Sequence, residues 1–173
     1  MDILGRRRAE RDAEFVALYD AAWPRLYRVA VAVAGDPVTA EDAVQEVLAR
    51  AYATWPRVAE TRHPHAYLRR MVLHDLVDRR RRGPGLRERA TADVPELGRP
   101  GHADAVDLHT DLWAAVQALP VGQRAVLVLR YYEDCSEAEA AQALGVSVGT
   151  IKSQTSRALA ALRGTRVRVE EER

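Results

Sequence analysis

Thr150, Lys152, Ser153, Gln154, Ser156 and Arg157 fall within eight positions, at spacings that turn them outward if the segment is helical. Hydroxyls, an amide and two cations in that arrangement suit phosphate oxygens and base edges, and an arginine is the side chain best shaped for a bidentate contact to guanine. From residue 147 to 168 the chain carries Lys152, Arg157, Arg163, Arg166 and Arg168 with no acid among them, as a helix entering a phosphate-lined groove requires. A second basic group ends the run HAYLRRMVLHDLVDRRRR. Four consecutive arginines, Arg79 to Arg82, repel one another and are best accommodated beside a polyanion, although a solvated helix end or a basic linker has the same composition. The remaining chemical candidates are weak. His63 and His65 straddle Pro64 instead of standing at i and i+4, no carboxylate lies at ligand spacing from them, and no phosphate-binding glycine loop is present. Neither a metal, a cofactor nor an enzymatic role is expected.

The elements that would hold these residues are legible from capping and periodicity. Ser136 and Glu139 form a capping box, Ala140, Ala141 and Leu144 a buried face, and Gly145 the left-handed helix end. Ser147 caps the next helix, in which Val148, Ile151, Thr155, Ala158, Leu159 and Leu162 recur at inward positions. This is a helix-turn-helix. A plain helical hairpin shares its spacing, but the capping, the glycine turn and the acid-free second helix favour DNA binding.

Upstream, residues 1 to 12 read as a loose polar tail or a frayed helix start, followed by a helix carrying Phe15, Leu18, Tyr19 and Ala22 that Pro24 interrupts or restarts. A second helix reaches Ala34 and stops at Gly35. Thr39 and Asp42 then predict a helix start, with an apolar stripe of Val44, Val47, Leu48, Ala51, Tyr52 and Trp55 and an acidic, amide-bearing opposite face that by itself reads as solvated. Residues 56 to 64 read as a loop, His65 to Arg82 as a helix, and residues 83 to 110, rich in Gly and Pro, as a domain boundary. A helix with Leu112, Trp113, Val116 and Leu119 and another from Val121 to Tyr132 complete an all-α chain without period-two alternation.

The 173 residues, 47% hydrophobic and 29% charged, suit one medium or two small soluble domains. The net charge of +1 conceals segregation. Residues 62 to 89 hold nine arginines against Asp75, Asp78 and Glu88, while residues 93 to 111 hold five acids against Arg99. Cys135 is the single cysteine, which excludes an internal disulfide and reads as a packed structural thiol before a redox sensor. No stretch approaches the ~20 apolar residues that cross a bilayer, and MDILGRRRAERD lacks a signal-peptide core, so a cytoplasmic protein without membrane insertion is expected.

In the order LYRVAVAVAGDPVTAEDAVQEVLARAY, HPHAYLRRMVLHDLVDRRRR and ALPVGQRAVLVLRYYEDCSEAEAAQALGVSVGTIKSQTSRALAALR, the chain resembles a bacterial sigma factor of the extracytoplasmic-function type. The resemblance implies two small helical domains joined by a flexible linker. These are a region 2-like domain at 13 to 83, an acidic linker at 84 to 110 and a region 4-like helix-turn-helix domain at 111 to 168, between tails at 1 to 12 and 169 to 173. It makes Asp42, Gln45, Glu46 and Arg50 a surface for core RNA polymerase. It assigns Arg62, Arg69, Arg70, His74, Arg79, Arg80 and Arg81 to the opened strand of promoter DNA near the start site, with a flipped base entering a pocket lined by Val58 to His63. The helix-turn-helix residues become readers of the upstream element, and an anti-sigma factor becomes a further candidate partner. One departure matters: many members carry asparagine where this chain has His74, which puts base preference there in question. An operator-binding helix-turn-helix regulator is the alternative, but it leaves the EDAVQEV face and the arginine-ended helix without a role and would require a dimer to read paired half-sites.

Overall fold

The computed structural model describes residues 3 to 82 and 106 to 171, which form helices and turns with no strand among them. The first half comprises α1 (Ile3–Ala34), α2 (Pro37–Ala53), the short α3 (Trp55–Ala59) and α4 (Pro64–Arg82). The second comprises α5 (Val106–Gln117), α6 (Val121–Leu127) running into a π-helical turn (Val128–Tyr132), α7 (Glu137–Leu144) and α8 (Val148–Glu171). Most of the expected linker lies outside the described residues; its last part, from Val106, is already helical.

Several expected boundaries are corrected. The helix α1 starts at Ile3, so the expected tail over residues 1 to 12 is helical where it is described, and Pro24 lies inside a single 32-residue helix. The amide that Pro24 lacks would have met the carbonyl of Asp20, and both residues face solvent, where water can satisfy the carbonyl left over. Asp36, not Thr39, caps α2: its carboxylate accepts from the backbone N–H of Val38 at 3.3 Å and of Thr39 at 2.9 Å, and Pro37 occupies the first turn, where its missing N–H costs nothing. Pro56 likewise opens α3 instead of a loop. At the other end, α8 extends to Glu171, beyond the expected limit at residue 168.

Helices α1 to α4 share a core in which Val29, Val33, Val44, Val47, Val58, Leu68, Val72 and Leu73 are fully buried. That core does not end with the first four helices. Ala125, Val126 and Leu129 from α6 and its π turn, Ala140 and Ala141 from α7 and Ile151 from α8 belong to the same cluster. A smaller cluster of Leu119, Leu127 and Ala158, with Leu159 and Leu162 packed against it, ties α8 to its own half.

The two halves are also clasped by a buried cation. Arg124, 3% exposed, donates from Nε to the Val33 carbonyl at 2.8 Å, from Nη1 to the Gln117 carbonyl at 2.7 Å and from Nη2 to the Ala34 carbonyl at 3.4 Å. The last carbonyls of a helix have no partner within it and carry its negative pole, so a guanidinium is well matched to the end of α1. Gly35 follows there in the left-handed region at φ 78°, and a Cβ on it would collide with the Gln117 side chain.

Candidate nucleic-acid interface

The helix-turn-helix is set by local hydrogen bonds. Glu139 N–H donates to Ser136 Oγ at 3.2 Å, and the Glu139 carboxylate accepts from Ser136 N–H at 2.7 Å, closing the expected capping box. The Ser136 hydroxyl and backbone N–H, both directed at the Glu139 carboxylate, lower its pKa below the usual value. Gly145 ends α7 at φ 65°, and Ser147 Oγ accepts from Thr150 N–H at 3.1 Å to start α8. Ile151 and Ala158 are fully buried, which turns Lys152, Ser153, Ser156 and Arg157 to solvent. Thr150 and Gln154 are half-buried at the margin of that face, and Val148, expected inside, is exposed at the first turn. Lys152 Nζ lies 3.6 Å from the Glu137 carboxylate, and Ser153 Oγ donates to the Thr150 carbonyl at 3.0 Å.

The residues expected to meet an opened strand do not all share one surface. Arg62 and Arg70 are exposed, and Arg62 lines a cleft of about 570 Å³ with His63, Pro64 and His65 from the start of α4 and Ala21 and Arg25 from α1. Arg69 points into the same cleft, where its guanidinium pairs with Glu133, a residue of the second half whose side chain is 1% exposed. Arg25 Nε donates to the other Glu133 oxygen at 2.9 Å, which raises the arginine pKa further. His74 is half-buried with its ring against Gly145. Arg79 turns the other way and pairs with Asp75 and Glu46. The side chains of Arg80 and Arg81 lie outside the described residues.

Arg79 thereby joins the second surface. Asp42, Gln45, Glu46 and Arg50 are exposed along α2, and Asp42, Gln45, Glu46, Ala49 and Arg79 line one shallow depression. Gln45 donates to Glu41 at 2.9 Å, and Arg50 donates to Asp75 at 3.1 Å. The face is therefore an ordered lattice of charges spanning α2 and α4, which single-helix periodicity does not reveal. Sequence reasoning also missed Arg25, Gln117, Arg124 and Glu133, because the partners of each are distant in the chain and no local pattern marks them. Cys135 is buried, its Sγ donates weakly to the Glu133 carbonyl at 3.8 Å, and burial pushes its thiol pKa up, which suits a packed thiol. Among the described residues no His, Cys, Asp and Glu cluster could hold a metal ion, and no helix is long and apolar enough to cross a membrane.

Fold and site together define an all-helical DNA-binding protein with a helix-turn-helix in its second half and a basic cleft in its first. Sequence comparison sharpens this. Residues 18–83 match the family model for sigma-70 region 2, and residues 109–162 that for sigma-70 region 4. The chain is 40% identical over 143 residues to the RNA polymerase sigma-E factor of Streptomyces coelicolor, covering 80% of this chain and 77% of that protein. It is 33% identical over 153 residues to the ECF RNA polymerase sigma factor SigL of Mycobacterium tuberculosis, covering 86% of each. Among solved structures it is similar to the sigma factor RpoE of Bartonella quintana, crystallised with the anti-sigma factor NepR, with a TM-score of 0.67, 25% identity and coverage of 88% of this chain and 96% of that one. The chain belongs to the sigma-70 family, in its extracytoplasmic-function branch.

Proposed function

We infer that this sigma factor gives core RNA polymerase its promoter specificity through two helical units working at separate promoter elements, and that the polymerase supplies all the chemistry. The observation that carries the reading is the presence of both sigma-70 regions, in order, on one chain. The α2 face of Asp42, Gln45, Glu46 and Arg50, extended by Arg79, docks on the polymerase. Its crossed charges favour that role, because an ordered set of exposed ion pairs fixes the register of a charged partner more than it stabilises its own fold.

The helix-turn-helix finds the upstream element with Lys152, Ser153, Ser156 and Arg157 in the major groove and Thr150 and Gln154 at its edge. Arg62, Arg69, Arg70, His74, Arg80 and Arg81 hold the opened strand, and the cleft beside Arg62 and His63 accommodates an unstacked base. Tethering two weak readers to one enzyme multiplies them through effective concentration, so residues 84 to 110 serve as a span between the units. The protein acts in the cytoplasm without enzymatic activity of its own. An anti-sigma factor is a natural regulator, since the similar sigma factor from Bartonella quintana forms such a complex.

The test is reconstitution. The full chain is expected to co-purify with core polymerase and to direct transcripts from discrete genomic sites that core alone ignores; Asp42→Arg with Glu46→Arg is expected to abolish both. Promoter-specific DNA binding by a dimer, with no polymerase association, would instead identify an operator-binding regulator.

A further inference from the structure

We propose that Glu137, on the helix before the recognition helix, sets the discrimination between promoter and random DNA by tethering Lys152, so that this lysine meets a backbone phosphate freely only when α8 is seated in register. Glu137 is thereby a positioning residue that acts through Lys152. The inference rests on the assignment of the α8 face to the upstream promoter element.

Residues 147 to 168 contain no acid, so the recognition helix cannot restrain its own cations. The carboxylate beside Lys152 comes instead from the first turn of α7, where Glu137 Oε2 lies 3.6 Å from Lys152 Nζ. Glu139 shares that turn and is engaged in the capping box with Ser136. The two acids therefore have separate tasks, one closing the start of α7 and the other reaching across to α8. Other polar groups at the start of α8 are likewise held from within. Ser153 Oγ donates to the Thr150 carbonyl at 3.0 Å, and the hydroxyls of Ser147 and Thr150 are 2.9 Å apart. The leading end of the DNA-facing surface is thus ordered before DNA arrives.

The pair does little for the fold, because its side chains are 64% and 39% exposed and an ion pair in water adds little stability. What it changes is the freedom of a long side chain. Random duplex is bound almost wholly through its phosphates, and an unrestrained lysine on a flexible stem follows whichever phosphate is nearest, in any register. Held by Glu137, the lysine reaches an out-of-register phosphate only by giving up the carboxylate. In the promoter register, base contacts from Ser156 and Arg157 fix the helix. There the three donors of the ammonium can serve a phosphate and Glu137 together, with the side chain already ordered. The tether therefore weakens binding to random DNA and spares binding to the promoter.

The experiment uses the full chain with core polymerase and two duplexes that end upstream of the melted segment. One carries the upstream element of a promoter found by reconstitution, and the other carries that element scrambled. Equilibrium competition over a range of salt compares wild type, Glu137→Gln, Lys152→Ala and the double variant. Glu137→Gln is expected to bind the scrambled duplex about three-fold more tightly, with promoter affinity unchanged and a steeper salt dependence on the scrambled DNA. The gain should vanish in the Lys152→Ala background. No gain on the scrambled duplex overturns the proposal. So does a gain that survives Lys152→Ala, which would make the carboxylate a direct repellent of phosphate. Equal weakening on both duplexes would reduce Glu137 to a structural part of α7 and overturns it as well. Lys152→Ala alone separates the two levels: if it leaves both duplexes unaffected, the α8 assignment falls and the tether with it, whereas weaker binding in Lys152→Ala beside an unchanged Glu137→Gln overturns the tether and leaves the assignment standing.

Discussion

Arg157 and Lys152 share one helix face but differ in freedom. Lys152 stands 3.6 Å from Glu137, and Arg157 is exposed without a carboxylate partner among the described residues. A lysine already balanced by an acid suits a phosphate contact, whereas a free guanidinium one turn further along can reach a guanine edge. Arg157→Ala is therefore expected to weaken binding of the polymerase complex to a cognate promoter by about 1–3 kcal/mol and to leave random DNA nearly unaffected. Competition assays at fixed salt measure this, and equal losses on both DNAs would make Arg157 a phosphate contact. His74 is a different case. The family resemblance sets asparagine at this position, and an imidazole differs from an amide in reach and in the donors and acceptors it offers. Transcription from a promoter library is expected to shift its preferred near-start sequence on His74→Asn, and an unchanged preference would remove His74 from base reading. No pattern in the sequence marks the packing of His74 against Gly145, since seventy-one positions of chain separate the two and no periodicity spans that distance.

Element boundaries were legible where a side chain caps its own backbone and misread where two caps compete. The Ser136 and Glu139 box is local and unambiguous. Before α2, Asp36 and Thr39 both suit a cap, and the choice falls to Asp36 because Pro37 presets the first turn behind it. Burial by itself raises the Asp36 pKa, but the hydroxyl and N–H of Thr39 and the N–H of Val38 outweigh it, leaving the pKa below the usual aspartate value. A folded-state pKa below the unfolded one means that the cap stabilises fully above the unfolded value, near pH 4, and loses this as pH falls through the folded value. Asp36→Ala is expected to cost about 1 kcal/mol at pH 7, or about 3 °C in melting temperature, with the gap to wild type narrowing below about pH 4. Thermal melts of both proteins across that range decide the point; a constant gap would mean that the ionised carboxylate contributes nothing. Glu139, lowered by its own capping box, adds stability with the same sign.

At the scale of the whole molecule, composition and helical period led to two units but not to their contact. Apolar stripes show that a face is buried, not against what, so Ala125, Val126 and Leu129 could be read as a core of their own half when they also cover α1 and α4. The arginine that joins the halves was equally hidden, because Arg124 looks in sequence like an ordinary solvated cation. In the fold it satisfies the Val33, Ala34 and Gln117 carbonyls together, and replacing it with an apolar residue leaves those acceptors unpaired while the halves remain docked. Each buried acceptor without a partner costs about 1–3 kcal/mol, and separating the halves returns at least the two at the end of α1 to water. Arg124→Met is thus expected to undock the halves before unfolding either. Calorimetry of the full chain should show one transition for wild type and two for the variant, the upper one belonging to α1 to α4, where Val29, Val44, Leu68 and Val72 are fully buried. A single transition at a lower midpoint would mean that the shared apolar cluster, and not the guanidinium clasp, couples the units.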